Sequence, residues 1–358
     1  MCWTSACQIT SVWWPNQSQR IQGSVASSRS TDLTLSLEGL IRLDHVRKEY
    51  PGGQMAVHDL SLEIADGETA MLVGPSGCGK TTSLKMINRL IEPSSGHIYV
   101  DGHDVLGEDP VRLRLRMGYV IQQTGLFPHM TIGDNVATVP RILGWDRQRT
   151  RRRVDELLEL VGLDPKRYAR RYPAQLSGGQ RQRVGVARAL GADPPILLMD
   201  EPFGAVDRVT RDRLQDEFLR IQRETRKTIV FVTHDIDEAI KLGDRIALLR
   251  EGGYLEQYDT PARLLGRPAT PFVEQFLGPD RAEKRLAVLR IDLARLEPQD
   301  GGGPVVPGDA TLSQALSAML LADTDRVRVV DGDGRFLGQL SVTAIFRSAA
   351  ESRREERV

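Results

Sequence analysis

The chain has 358 residues, 40% of them apolar and 27% charged, which allows one large globular domain and a smaller one. Lys plus Arg (48) equals Asp plus Glu (48), so the overall charge makes no case for a nucleic-acid-binding protein. The cysteines Cys2, Cys7 and Cys78 are too few for a disulfide scaffold, and no run approaches about 18 uninterrupted apolar residues, which argues against a membrane-spanning helix.

Residues 1–37 are polar and rich in Ser and Gln. They are expected to form a disordered leader, or to reflect a start of translation assigned too far upstream. From Gly39 the character changes. "LIRLDHVRKEY" alternates as a half-buried strand does. "AVHDLSLEIADGETAMLVG" gives a second strand, a turn at Asp66-Gly67 and an apolar strand from Thr69 to Val73. A glycine loop follows, then a helix with Leu84, Ile87, Leu90 and Ile91 at helical spacing. The stretch from about 123 to 178 predicts a helical subdomain, with Val154, Leu157, Leu158 and Val161 on one face of an amphipathic helix. The basic run Arg147, Arg149 and Arg151 to Arg153 predicts a solvated face of the same helix.

"PILLMD" and "KTIVFVTHD" predict two further buried strands, the second from Thr228 to Val232, and "DRIALLREGGYLEQ" a pair around a Gly252-Gly253 turn. Strand, loop and helix alternate, so the expected class is α/β, a sheet with helices packed on it. The main domain is expected over residues 38–278. Residues 279–307 are charged, then rich in Gly and Pro, and predict a linker. Residues 308–350 predict a small α+β unit, and 351–358 a frayed tail.

The chemistry is concentrated in a few segments. "GPSGCGKT", residues 74–81, fits G-x-x-x-x-G-K-[ST] between an apolar strand and a helix. Gly74, Gly77 and Gly79, with Pro75, Ser76 and Cys78 between them, let the backbone curl so that its N–H groups point at phosphates. The following helix start adds a favourable dipole. Lys80 reaches the β and γ phosphates, Thr81 offers a hydroxyl to Mg²⁺, and Thr82 supports the α phosphate. Asp200 ends an apolar strand where a carboxylate holds Mg²⁺. Glu201 follows it as general base or water orienter, and His234 ends the "TIVFV" strand as a contact to the γ phosphate and the attacking water. Cys78 lies beside a helix N-terminus, which predicts a lowered pKa and a reactive thiol protected by ATP. Ser177, Gly178 and Gly179 precede another helix as a second anion nest, for which spacing alone assigns no ligand.

These segments resemble those of ABC transporter ATP-binding subunits over roughly residues 39–278. "LSGGQRQR", residues 176–183, is similar to the ABC signature, and it is more specific than the phosphate loop. The resemblance implies a P-loop NTPase fold with a helical subdomain and an ATPase activity dependent on ATP and Mg²⁺. It further implies that Tyr50 stacks on adenine, that Gln122 in "GYVIQQ" senses Mg²⁺ and coordinates the water, and that Asp207 in "GAVD" is the D-loop aspartate. Glu201 is then the catalytic glutamate and His234 the switch histidine. Two chains would close head to tail, each nucleotide lying between one phosphate loop and the other chain's Ser177, Gly178, Gly179 and Gln180.

The stretches "GYVIQQTGLFPHMTI", "DEPFGAVDRVTRDRLQDEF" and "THDIDEAIKLGDRIALL" look like importers of glycine betaine, carnitine, choline and proline. Another small solute (an amino acid, a polyamine or an anion) is the alternative. The partners implied are a second copy of the chain, a polytopic membrane permease and an extracytoplasmic solute-binding protein, separate or fused to the permease. No nucleic acid is implied. The place implied is peripheral, on the cytoplasmic face of the inner membrane. "TGLFPHMT", residues 124–131, would lie near the permease, with Leu126 and Phe127 either core or docking patch. Residues 308–350 resemble one CBS motif where a binding module has two. Two subunits pairing their halves and a regulatory relic both stay open.

Overall fold

The structure is a computed structural model that describes residues 40–121, 125–204, 206–299 and 301–355. The leader over 1–37 and the predicted site residue Gln122 therefore lie outside the described residues. The first half of the main domain runs β1 (Ile41–Tyr50), β2 (Gln54–Ile64), β3 (Thr69–Val73), α1 (Lys80–Ile87), β4 (Ser95–Val100), β5 (His103–Asp104), α2 (Pro110–Leu115) and β6 (Met117–Val120). A helical insert follows: α3 (Ile132–Val136), α4 (Thr138–Ile142), α5 (Arg147–Leu160), α6 (Pro165–Tyr168) and α7 (Gly178–Ala189). The chain then returns through β7 (Ile196–Asp200), α8 (Arg208–Thr225), β8 (Thr228–Thr233), α9 (Ile236–Leu242), β9 (Arg245–Arg250), β10 (Tyr254–Asp259), α10 (Pro261–Gly266) and α11 (Pro271–Leu277). Last come α12 (Arg281–Val288), β11 (Val305–Pro307), α13 (Leu312–Leu321), β12 (Arg326–Val330), β13 (Phe336–Ser341) and α14 (Val342–Glu355).

Strands β3, β7 and β8 are buried throughout and apolar except at their ends, where Thr69, Asp200, Thr228 and Thr233 lie. Such runs suit the centre of a parallel sheet covered on both faces, and that is where they lie. The sheet order is β5-β4-β1-β2-β10-β9-β3-β8-β7-β6. β9, β3, β8, β7 and β6 are parallel, while β5, β4, β1 and β2 form an antiparallel arm. Side chains alternate between faces with period two. Met71, Val73, Leu197, Met199, Ile229 and Phe231 join the core under the helical insert, α8 and α9. Ala70, Leu72, Ile196, Leu198, Val230 and Val232 join the core around α1 and the antiparallel arm. In the insert, Val154, Leu157, Leu158 and Val161 are all buried.

Three expectations need correction. The helix after the glycine loop stops at Ile87, with Asn88 as cap and Arg89 in the left-handed region at φ 52°. Leu90 lies beyond it and is 48% exposed, so the apolar spacing there does not mark a continuing helix. Residues 279–307 are packed structure more than linker: α12 lies against α10 and α13, Ile291 is buried in the carboxy-terminal core, and β11 pairs with β12. The tail from 351 is helical to Glu355 as the end of α14, where Glu351 pairs with Arg295. The carboxy-terminal unit has a sheet in the order β11-β12-β13 and its own core, including Val306, Ala315, Met319, Val327, Leu340 and Ile345.

Candidate functional site

The carboxyl ends of the parallel strands β3, β7 and β8 meet at one edge of the sheet, where ligands bind in open α/β folds. β3 runs into residues 74–79 and α1. Gly79 caps that helix at φ 95°, and a Cβ there would stand 2.5 Å from the carbonyl oxygen of Ala56. A Cβ on Gly74 would collide with the carbonyl of Leu249. The loop is thus pressed onto β2 and β9, which only glycine permits. Pro75, Ser76 and Gly77 are exposed, so the outer backbone of the loop is open. Lys80 is buried, and its ammonium donates to the carbonyls of Gly74 (2.7 Å) and Pro75 (2.8 Å). The Tyr50 hydroxyl stands 3.4 Å from that of Thr82, which brings the end of β1 to the start of α1.

The neighbouring strand ends add the acids. Thr81 donates to Asp200 Oδ1 at 2.8 Å. Burial pushes the Asp200 carboxyl above the usual range, against the lowering effect of the Thr81 hydrogen bond. Glu201 sits in the left-handed region at φ 45°, a backbone state of order 1–3 kcal/mol in strain for a residue with a side chain. Its N–H donates to Val232 O at 3.0 Å, which fixes the turn against β8. Glu201 Oε1 then stands 3.2 Å from His234 Nδ1. The next residue, Asp235, caps α9 by accepting from the backbone N–H groups of Asp237 and Glu238. A hydroxyl, two carboxylates and an imidazole are thereby lined up beside an exposed glycine loop.

A second group lies on the helical insert. Ser177 caps α7 in a capping box: its Oγ accepts from Gln180 N, while Gln180 Oε1 accepts from Ser177 N at 2.9 Å. Gln180 Nε2 donates to the Tyr168 hydroxyl at 3.2 Å. A Cβ on Gly179 would lie 3.5 Å from Thr210 Cγ2 and 3.6 Å from Val206 Cγ1, so this turn rests against the residues flanking Asp207. Asp207 itself caps α8 by accepting from Thr210 N at 3.1 Å, which lowers its pKa.

The structure therefore brings together Tyr50, Gly74, Pro75, Ser76, Gly77, Cys78, Gly79, Lys80, Thr81, Thr82, Asp200, Glu201 and His234. It gathers Ser177, Gly178, Gly179, Gln180 and Asp207 as a second group. The reading of Cys78 is corrected: the thiol is fully buried beneath the loop, and burial pushes its pKa up against the lowering charge of Lys80. Leu126 packs on the core, whereas Phe127 is 40% exposed. Phe127 rims a groove of about 240 Å³ shared with Leu115, Met117, Tyr119, Val139 and Arg188. In the basic run, Arg153 reaches back to Leu190 O at 3.1 Å and Asp193 at 3.3 Å, so this arginine ties the insert to the sheet domain.

The sequence reading missed Arg211, Gln215 and Glu238. The signal was available, since Gln215 shares the buried stripe of α8 with Phe218 and Ile221, and Glu238 that of α9 with Ala239 and Leu242. A polar residue in an apolar register has a partner to find.

Comparison with known proteins adds four findings. A family model described as ABC transporter matches residues 57–204. A glycine betaine/carnitine/choline transport ATP-binding protein of Bacillus subtilis (strain 168) is 52% identical over 307 residues, covering 86% of this chain and 79% of that protein. A glycine betaine uptake system ATP-binding protein of Escherichia coli (strain K12) is 47% identical over 303 residues, covering 84% and 97%. Among solved structures, a dimeric ATP-binding cassette in a post-hydrolysis state with ADP and Pi is 36% identical at a TM-score of 0.56, covering 62% of this chain and 98% of that one.

Proposed function

This chain belongs to the ATP-binding proteins of ABC transporters, and from that membership we propose that it drives import of a quaternary ammonium osmoprotectant through a partner permease. Its activity is that of an ABC ATPase. The observation that carries the solute class is the 52% identity, across 86% of the chain, to a protein named for glycine betaine, carnitine and choline transport. Proline belongs to the same proposed class, and another small solute is the alternative.

The proposed division of labour follows from the strand ends. The backbone N–H groups of Ser76, Gly77 and Gly79 to Thr82, together with the α1 dipole, bind phosphate oxygens, and Lys80 adds its positive charge. Tyr50 stacks on the base. The donor set fits a hard divalent cation, because a Thr81 hydroxyl 2.8 Å from an Asp200 carboxylate oxygen offers two oxygen ligands. Thr81 and Asp200, with Gln122, are assigned to hold Mg²⁺, which when bound supplies charge neutralisation at the phosphates. Glu201 orients a water and accepts its proton. His234, 3.2 Å away, holds that carboxylate in position and contacts the γ phosphate.

Ser177, Gly178, Gly179, Gln180 and Asp207 form a separate phosphate-facing group, and we assign them to a second chain's nucleotide. The dimeric solved relative supports that pairing. ATP favours closure by adding contacts across the pair, and hydrolysis removes them. Among the described residues no helix is long and apolar enough to cross a membrane, so the solute path is assigned to the permease. The groove rimmed by Phe127 is the proposed permease contact on the cytoplasmic face of the membrane. A solute-binding protein outside would deliver the solute. Residues 308–350 are proposed as a single CBS-like motif, a reading supported by the order of β11, α13, β12, β13 and α14 around one core.

The test is purification of the tagged chain from gently solubilised native membranes, with partners identified by mass spectrometry. A polytopic membrane protein and a partner that binds labelled glycine betaine, choline or carnitine are expected. Recovery with soluble or ribosomal proteins alone would contradict the reading.

A further inference from the structure

Helices α8 and α9 each start at a residue assigned above to the nucleotide. α8 is capped by Asp207, and α9 begins two residues after His234. Both helices run away from the site, and polar pairs lace them in register. Nearest the site, Arg211 donates to Val206 O at 3.2 Å and pairs with Asp235 at 3.8 Å. It therefore touches the residue before Asp207 and the residue after His234. One turn further, Gln215 Nε2 donates to Glu238 Oε1 at 3.1 Å, with both side chains buried. On the outside, Lys241 pairs with Asp216 at 2.8 Å on the surface.

The three pairs differ in what they can do. The outer pair is solvated, so it contributes little. A carboxyl and an amide placed in an apolar interface cost free energy unless they satisfy one another. Glu238 is also hydrogen-bonded to Thr233 at the end of β8, and Gln215 reaches it only when α8 and α9 keep one relative position, which makes that position discrete. Arg211 then transfers it to the two turns, since its planar fork reaches both Val206 O and Asp235.

We propose that Arg211 and the Gln215–Glu238 pair are positioning residues that make the Asp207 turn and His234 move as one body, so that a second chain docking on Asp207 holds His234 in the place, 3.2 Å from Glu201, that it takes here. The proposal rests on the roles given above to Asp207, His234 and Glu201. It adds a route by which formation of the dimer governs hydrolysis in each site. None of these three residues is assigned to the nucleotide.

The experiment is steady-state ATP hydrolysis by the purified full-length chain in MgATP. Glu238→Ala and Gln215→Ala are expected to lower kcat by about 10- to 100-fold, the effect of a displacement of order 1 Å at a catalytic group, with KM for ATP nearly unchanged. Their double variant should lose no more than either alone. Glu238→Gln preserves a hydrogen-bonding group of the same shape and should restore kcat. Lys241→Ala should leave kcat as it is. Where Glu238→Ala does not fold, Arg211→Lys, at a half-exposed side chain, carries the same expectation of a lowered kcat. Glu201→Gln is measured alongside. If Glu201→Gln hydrolyses ATP normally, the reading of the site falls and the proposal with it. If Glu201→Gln is inactive while Glu238→Ala and Arg211→Lys keep the wild-type kcat, only the coupling is overturned.

Discussion

Cys78 shows how a residue's neighbours decide its chemistry. It sits next to a helix start, which lowers a thiol pKa in the open, yet here it is sealed between the loop and β9. Burial outweighs the Lys80 charge and the pKa moves up. Because the thiolate is the reacting form, a raised pKa means less of it at neutral pH than in a free thiol. Alkylation of Cys78 in the native protein is therefore expected to be much slower than that of glutathione at pH 7. It should keep rising with pH beyond the point where a free thiol levels off, and fall further with MgATP. A rate equal to glutathione's at pH 7, or one unchanged by MgATP, would contradict this. The loop itself was legible in the sequence because its requirements are local: glycines where Ala56 O and Leu249 O come close, a lysine, and a hydroxyl. For Gln215 and Glu238 only the odd register was legible, a polar residue in an apolar stripe; their pairing was not, since the two come from separate helices and meet only once α8 packs beside α9.

At the scale of elements, α12 is the instructive case. Its string of charges reads as a solvated segment, yet Arg285 is 7% exposed. Its guanidinium donates to Ala349 O at 3.0 Å and Ser352 Oγ at 3.2 Å on α14, while Lys284 on the same helix pairs with Asp237 of α9 at 2.9 Å. Charge patterning alone cannot separate a long side chain in water from one whose stem is buried and whose head is satisfied. The strands were easier to read, since β3, β7 and β8 are short apolar runs that end at functional residues. Arg285→Ala leaves the Ala349 carbonyl without that donor, a loss of about 1.5–3 kcal/mol for a hydrogen bond to a charged group. Hydrogen exchange should then speed up in residues 305–355 while the main sheet keeps its protection. Uniform exchange across both regions would show that α12 is not what anchors this unit.

At the scale of the whole molecule, one chain carries, on different elements, the two groups of residues that we assign to a nucleotide. The sheet edge carries Lys80, Thr81, Asp200, Glu201 and His234, and the helical insert carries the Ser177–Gln180 turn beside Asp207. Residue spacing picked out both groups, assigned no ligand to the second and gave no reason for their separation. The need for a second chain came from resemblance, and is now supported by a dimeric relative at 36% identity. The most direct test is sedimentation of the Glu201→Gln variant with MgATP, paired with its hydrolysis rate. A rate about 10²- to 10⁴-fold below wild type is expected, the usual worth of a positioned general base, together with a dimer that forms with MgATP and returns to monomer when the nucleotide is removed. A variant that stays monomeric at saturating MgATP, or one that turns over ATP like the wild type, would contradict this.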